Sequence, residues 1–299
     1  MMRILGIVGV QVCICVPIIV FQFCKGKEFF SKEYWGYALR IGIPIVPHYL
    51  SGIILNQGDR IMIDKMVGKT EVALYGLAYS IGMLVQLFIS GMNSALTPWM
   101  YSKIKKGDIR SMRKVLQLLS IVVVGIAVAL MLISPELVLI FGSPKYREAV
   151  YVIPPVAASV FFIFIYNILS MPQFYYEKTQ FLMAASMAAA GANVVLNFIF
   201  IRLFGYIAAG YTTLACYMLY SVGHYIVSKR ILVNEGIQEN LMNPGFLLAC
   251  SVFLIGASII CNLIFPYRIL RYAILLASAG LVFWKKELLL KTLADIRKK

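Results

Sequence analysis

An otherwise apolar stretch, residues 37–70, carries side chains that can hold a charge or exchange a proton. They include Arg40, His48, Asp59, Arg60 and Asp64. The stretch also contains Pro44 and Pro47, each of which removes a backbone donor from a helix. Hydrocarbon tolerates neither unpaired charge nor unsatisfied backbone, so we expect residues 37–70 to face protein or a water-filled cavity.

The charged end of this stretch has the spacing of one helical face. Asn56 and Asp59 are three residues apart, and Arg60 and Asp64 are four apart. Arg60 is therefore expected to pair with Asp64, since residues four apart are neighbours on a helix. Such a cluster at a helix end fits either a solvated structural ion pair or a binding site.

A second polar face is predicted farther along the chain. Five side chains are spaced as one face of a helix, namely Tyr75, Tyr79, Gln86, Ser90 and Asn93. Polar residues on a membrane helix either join helices or line a cavity. Tyr and Gln are large for close helix contact, which favours a cavity. Asn193 and Asn197 share one face of a later helix, and His224 belongs to a further polar face.

These side chains must be positioned by membrane helices. The chain has 299 residues, of which 61% are hydrophobic and 14% charged, whereas soluble domains are roughly half apolar. A span needs about 20 mostly apolar residues. The sequence predicts an all-α polytopic membrane protein with about nine spans, at 4–24, 38–58, 71–99, 115–134, 148–170, 179–201, 205–228, 245–265 and 269–284.

The basic residues indicate topology. The net charge is +15, but the Lys and Arg residues lie between apolar segments and form no nucleic-acid-binding motif, so we expect no nucleic-acid partner. Of the 28 Lys and Arg residues, 19 fall on alternate connections that include 101–114 and 285–299. Positive charge stays in the cytoplasm, so we expect a multi-pass protein of the cell membrane with a cytoplasmic C-terminus.

Nothing in the sequence indicates a cofactor, a metal site or catalysis. The six cysteines form no CxxC pair, and we expect them to be buried, reduced side chains. His48 and His224 have no carboxylate or histidine partner nearby in sequence, which an enzyme's catalytic group would need. The chain is therefore predicted not to be an enzyme.

Several stretches together resemble the polysaccharide-type flippases of the multidrug, oligosaccharidyl-lipid and polysaccharide exporter superfamily. They are PIVPHYLSGIILNQGDRIMIDKMVG with VALYGLAYSIG (44–82), ALTPWMYSKIKKGD (95–108), FGSPKYREAVYVIPPVA (141–157) and NVVLNFIFIRLFGYIAAGYTTL (193–214). The resemblance implies two six-helix lobes followed by two further helices. It assigns residues 1–36 to a lone helix with an interfacial connector, 37–230 to one complete six-helix lobe, and 231–299 to two additional helices with a basic cytoplasmic tail. Five helices expected upstream are absent.

The resemblance also implies a function, the translocation of polyprenyl-pyrophosphate-linked oligosaccharide across the membrane. Arg40 would contact the diphosphate, because guanidinium matches phosphate oxygens in a fork; the alternative is that Arg40 is a snorkelling topology anchor. The other predicted cavity residues are His48, Tyr79, Gln86, Ser90, Asn93 and Asn197. Beyond membrane lipids, the implied partner is a coupling ion, proton or sodium, for which His48, Asp59 and His224 are the titratable groups.

Three alternatives stay open at this point. A drug or cation antiporter of the same superfamily would carry acidic residues deep in its spans, and these spans show none. A membrane glycan ligase or acyltransferase would need a nucleophile and a base. A truncated, inactive remnant is the third alternative, because half of the wall of a two-lobed cavity would be missing.

Overall fold

The computed structural model describes residues 2–27 and 30–284, and these are almost entirely helical. Its elements are α1 (Met2–Gly26), α2 (Lys32–Met66), α3 (Lys69–Gly82), α4 (Leu84–Lys105), α5 (Ile109–Phe141), a 3-10 helix (Pro144–Val152), α6 (Ile153–Tyr175), α7 (Thr179–Phe204), α8 (Ile207–Asn234), α9 (Pro244–Ile264) and α10 (Arg268–Trp284). Each of the nine predicted segments is helical, which confirms the all-α polytopic fold. The predicted amphipathic tail, 285–299, lies outside the described residues.

Seven helical stretches within the described residues are long and apolar enough to cross a membrane. They include α3 and α4 taken together as residues 69–105, and the 3-10 helix taken together with α6. Two predicted spans, α8 and α10, are not among the seven. The α10 helix has 17 residues, and α8 carries many hydroxyl and aromatic polar side chains.

The chain divides at Pro44 into two compact units. The first unit, Met1–Pro44, contains α1 and the beginning of α2. The side chains of α1 are exposed from Leu5 to Gly26, as expected of an apolar helix that meets lipid. Three cysteines, Cys13, Cys15 and Cys24, are therefore exposed rather than buried.

The second unit, Ile45–Lys299, is organised around α6. This helix packs against α4, α5, α8 and α9, and its side chains from Ile153 to Ile165 are buried. A helix that is apolar on all sides is either a core helix or a membrane span that meets lipid, and α6 is a core helix because neighbouring helices cover it. The α7 helix packs against α8, and α10 packs against α5.

Local sequence explains where several helices begin and end. The Asp108 carboxylate accepts the backbone N–H of Ser111 and caps α5, and Asn243 caps α9 in the same way, with Pro244 at the first helical position. Gly205 ends α7 with a φ of 75°, a left-handed conformation that favours glycine. These ends place α7 and α8 side by side.

The predicted polar face of residues 75–93 is interrupted at Met83, where α3 ends and α4 begins. Tyr75 and Tyr79 are buried, whereas Ser90 is exposed and donates to the carbonyl of Gln86 on its own helix. The prediction of one continuous face was therefore wrong. Beside this break, Gly82 lies so close to Val156 on α6 that a Cβ atom on it would stand 2.6 Å from Val156 Cγ1.

A charged contact holds α10 against α5. Arg271 makes a two-pronged ion pair with Glu136, at 2.8 and 2.9 Å, and also donates to the carbonyl of Leu132. The hydroxyl of Tyr272 donates to the same carboxylate. The Arg271 side chain is only 4% exposed, so its charge is neutralised where water cannot solvate it.

Candidate functional site

A cavity of about 210 Å³ lies between α2, α6 and α8 in the second unit. Its walls come from residues that are far apart in sequence. The lining residues are His48, Tyr49, Gly52, Leu55, Asn56, Tyr166, Asn167, Ser170, Met171, Phe174, Tyr217 and Tyr220. The cavity therefore brings one predicted site residue, His48, next to amides and aromatic rings of two other helices.

Aromatic rings form much of this wall. The Tyr166 ring stacks on Tyr217, with centroids 6.2 Å apart and planes 6° apart, and lies 4.5 Å from the Tyr220 ring. Asn56 and Asn167 add amide groups, and the lining contains no Asp, Glu, Lys or Arg. This combination of apolar faces and a few polar groups is typical of a pocket for an uncharged polar ligand.

The amide of Asn56 is held in place by α3 and α8. Its Oδ1 accepts the hydroxyl of Tyr79 at 2.6 Å and that of Tyr217 at 3.4 Å. Its Nδ2 donates to the carbonyl of Gly52 at 2.7 Å. Tyr79, which was predicted to line a cavity, instead positions a cavity residue from behind.

His48 is fixed on one side of its ring. Its Nδ1 lies 2.5 Å from Ser186 Oγ on α7 and 3.1 Å from the Tyr220 hydroxyl on α8. The Phe174 ring meets the imidazole edge-on, with centroids 6.3 Å apart. The imidazole is thus oriented by three helices while it lines the cavity.

A separate buried polar cluster surrounds Asp59, which is 0% exposed. The carboxylate accepts three hydrogen bonds, from Tyr75 at 2.5 Å, from Asn197 Nδ2 at 2.5 Å and from Thr213 at 2.7 Å. Thr212 donates to the Oδ1 of Asn197, which extends the network to the start of α8. The donors come from α3, α7 and α8, so one carboxylate connects three helices to α2.

No ion pair among the described residues neutralises Asp59. Its neighbour Arg60 turns away, with Nη1 donating to Gln57 at 2.9 Å and the guanidinium lying over the Tyr79 ring. The predicted Arg60 to Asp64 pair is therefore wrong, and Asp64 is exposed. The carboxylate of Asp59 points into the protein because its hydrogen-bond donors lie there.

The Asp59 cluster offers oxygen ligands. Hydrogen bonds link the carboxylate of Asp59 to the side chains of Asn197 and Thr213, and Asn197 in turn to the side-chain oxygens of Asn193 and Thr212. Hard cations bind oxygen, so this donor set fits an alkali cation or a proton. The described residues contain no group of three His, Cys, Asp or Glu side chains that could hold a metal.

The remaining predicted site residues lie outside the cavity wall. Asn197 belongs to the Asp59 cluster, Gln86 and Asn93 are half-buried on α4, and Ser90 is exposed. Arg40 is exposed in the first unit. None of these side chains is among the residues that line the cavity.

Several important residues were not predicted as site residues, chiefly Tyr166, Asn167, Ser186 and Tyr220. The sequence did contain a spacing pattern that could have predicted Tyr220. Thr213, Tyr217, Tyr220 and His224 are spaced at four, three and four residues along α8, and this spacing defines one helical face. That face meets Asp59, Asn56 and His48 in turn.

Comparison with known proteins gives partial matches. Residues 4–105 match the family described as polysaccharide biosynthesis protein. A protein of the Lsg locus of Haemophilus influenzae is 28% identical over 172 residues, 54% of this chain and 41% of that protein. A membrane protein of the same organism, itself uncharacterized, is 29% identical over 191 residues, 60% of this chain and 46% of that protein.

These matches have a limited extent. The matched part of this chain spans less than half of the length of either relative. No solved structure matches the chain. Within these bounds, the matches confirm the resemblance of this multi-pass membrane protein to the membrane proteins of polysaccharide biosynthesis.

Proposed function

We propose that this chain forms part of a flippase that moves polyprenyl-pyrophosphate-linked oligosaccharide across the cell membrane during surface polysaccharide assembly. The observation that carries this proposal is the cavity between α2, α6 and α8. A sugar ring has apolar faces that stack on aromatic rings and hydroxyl groups that bind amides. The cavity supplies both, from Tyr166 and Tyr217 and from Asn56 and Asn167.

The same lining favours a sugar over a cationic drug. A cation exporter needs acidic groups in contact with its substrate, and the cavity lining contains no carboxylate. Asp59 is engaged by three donors and is not part of the lining. An uncharged, hydroxyl-rich ligand fits this wall better.

An acyltransferase function meets a specific obstacle. Ser186 and His48 do form a contact at 2.5 Å, as a nucleophile and its base would. However, Ser186 is 1% exposed, and its hydroxyl donates to the carbonyl of Leu182. Because Ser186 Oγ cannot reach a substrate in the cavity, the contact favours a structural role for Ser186.

The diphosphate of the cargo is assigned to Arg40 in this proposal. Its side chain is exposed, so the guanidinium is free to bind phosphate oxygens in a fork. The long polyprenyl tail stays in the bilayer, since it is as apolar as the lipid. With the diphosphate bound by Arg40 and the tail in the bilayer, only the sugars need to enter the cavity.

Coupling to an ion gradient is assigned to the Asp59 cluster. A carboxylate that is fully buried among neutral donors gains from binding a proton or sodium, because the cation replaces the charge compensation of water. The donors of α3, α7 and α8 converge on Asp59, so binding there alters the packing of three helices. Packing changes of this kind can drive alternating access.

The six-helix lobe, residues 37–230, serves in this proposal as one side of the transport path. Alternating access in transporters relies on one repeat moving against another around a central site. We therefore expect transport to need helices besides this lobe, with the connection at 101–114 and the C-terminus in the cytoplasm. The rival functions are a drug antiporter and an inactive remnant.

Photocrosslinking in living cells tests the proposal. A photoreactive amino acid at Asn167, which lines the cavity, is compared with the same group at Leu219, which is 56% exposed on α8 and outside the cavity lining. In cells that label their lipid-linked oligosaccharide with a radioactive sugar, we expect labelled adducts at position 167 and few at position 219. Equal labelling at the two positions, or none at position 167, would contradict the proposal.

A further inference from the structure

The chain has only two histidines, and they lie on either side of Tyr220. The Tyr220 hydroxyl is 3.1 Å from Nδ1 of His48, and the Tyr220 ring meets the His224 ring edge-on, with centroids 4.5 Å apart. A neutral imidazole carries its hydrogen on one nitrogen and a lone pair on the other. Which nitrogen is which follows from the partners of each ring.

The partners of Ser186 determine the tautomer of His48. The single hydroxyl hydrogen of Ser186 goes to the carbonyl of Leu182, at 2.7 Å. Its oxygen then accepts the hydroxyl of Tyr220, also at 2.7 Å. In this arrangement the oxygen has only a lone pair left toward His48, and we assign the hydrogen of the 2.5 Å contact to Nδ1 of His48.

The other nitrogen of His48 is then an acceptor. Its Nε2 has no hydrogen-bond partner among the described residues, and it is not among their buried unpartnered atoms. The imidazole itself lines the cavity. Because Nδ1 contacts Ser186 and Tyr220, Nε2 is the ring nitrogen left for a ligand there.

His224 has the opposite arrangement. The amide nitrogen of Gln173 donates to the carbonyl of Leu169 at 3.3 Å and contacts Nδ1 of His224 at 2.8 Å. Because that nitrogen carries two hydrogens, Nδ1 of His224 accepts and Nε2 carries the ring hydrogen. His224 is 0% exposed, and its Nε2 has no partner among the described residues.

We propose that His48 and His224 are held in opposite tautomers and that His48 thereby presents the cavity with a hydrogen-bond acceptor that selects a hydroxyl group of the bound sugar. The ligand's identity rests on the proposed function, whereas the tautomers do not. In the same wall the amide oxygen of Asn56 already accepts from Tyr79 and Tyr217, and the Asn167 amide carries both a donor and an acceptor. His48 adds a further acceptor for a sugar hydroxyl.

The surroundings of His48 keep it neutral in this role. The titratable groups that face it are Tyr49 on α2, Tyr166 on α6, and Tyr220 and His224 on α8, while α7 contributes Ser186. None of them is a carboxylate or a cation at neutral pH. Acid would add a proton at Nε2 and turn the acceptor into a donor, without breaking the contact to Ser186.

Nitrogen NMR on the chain reconstituted in lipid tests the tautomers directly. With ¹⁵N-labelled histidine there are two imidazoles to assign, and His48→Ala identifies which is which. At neutral pH we expect hydrogen on Nδ1 of His48 and on Nε2 of His224. Ser186→Ala should shift His48 toward the Nε2–H form and leave His224 unchanged. Hydrogen on Nε2 of His48 in the native chain would overturn the inference and leave the proposed function standing.

A pair of substitutions tests the acceptor. In His48→Gln the amide oxygen can reach the place of Nε2, whereas in His48→Asn the shorter amide reaches only the place of Nδ1. We expect crosslinking of labelled oligosaccharide at position 167 to fall about five- to tenfold in His48→Asn and to stay within about twofold in His48→Gln. Equal loss in both variants, at equal protein abundance, would overturn the acceptor role. If the chain with the native His48 gives no crosslink to the labelled oligosaccharide at position 167, the proposed function itself is contradicted.

Discussion

Thr213 on α8 donates a hydrogen bond of 2.7 Å to Oδ2 of Asp59 on α2, across 154 residues of sequence. The hydroxyl of Tyr75 shares the same carboxylate oxygen, and the amide of Asn197 binds the other one. One carboxylate thus satisfies three donors that would otherwise be buried without partners. The contact makes Asp59 a structural link between helices as well as a candidate ion site.

Replacing Asp59 by Asn should destabilise the lobe. An amide has one oxygen where the carboxylate has two, so at least one of Tyr75, Asn197 and Thr213 loses its acceptor. A buried unsatisfied donor costs about 1–3 kcal/mol, which should lower the unfolding temperature in detergent. Asp64→Asn removes an exposed carboxylate of the same helix and should leave that temperature unchanged. Similar effects of the two substitutions would show that the three hydrogen bonds contribute little.

Sodium should stabilise the native chain through Asp59. A ligand that binds only the folded state raises stability with its concentration, so the unfolding temperature should be higher in sodium chloride than in choline chloride of equal ionic strength. Asp59→Asn should remove this difference. If the native chain shows no difference between the two salts at neutral pH but is stabilised by mild acid, the proton is the bound cation. Equal responses of the native chain and the Asp59→Asn variant to both sodium and acid would rule the cluster out as the ion site.

Gly82→Ala should strain the contact between α3 and α6. Its Cβ atom would lie 2.6 Å from Val156 Cγ1, closer than two carbon atoms can approach, and overpacking of this kind costs about 1–3 kcal/mol. Gly76→Ala, six residues earlier on α3, meets no atom within 4 Å and is the matched control. Thermal unfolding should separate the two variants, and equal stability would indicate that Val156 moves aside freely.

Glu136→Gln should loosen α10. The neutral amide no longer balances the guanidinium of Arg271, whose side chain is only 4% exposed, and the loss of a charged partner costs about 1–3 kcal/mol. Hydrogen exchange of the backbone should then become faster in residues 268–278. Arg268→Met removes a neighbouring cation that lies over the Tyr272 ring and should change the exchange little. Unchanged exchange in Glu136→Gln would show that apolar packing alone holds α10.

The fold was more predictable from the sequence than the site. Hydropathy located nine helical segments, and seven of them are long and apolar enough to cross a membrane within the described residues, because a span needs a long apolar run whatever its neighbours are. The break at Met83 was missed because the apolar run continues through it and hydropathy does not register a local turn. The sequence left it open whether Asp59 belongs to a solvated ion pair or to a binding site, because its near neighbours, Arg60 and Asp64, are charged. Only its distant donors, Asn197 and Thr213, show that it points inward.

The polar face of α8 has a consequence for how the protein is made. Within the described residues α8 is not among the helices that are apolar enough to cross a membrane by themselves. Its polar side chains are buried where it packs against α7 and α6. We therefore expect α8 to leave the translocon together with α7, as a helical hairpin closed at Gly205, with the bond between Asn197 and Thr212 formed before either helix meets lipid. Substitutions at Asn197 should then reduce how much protein reaches the membrane.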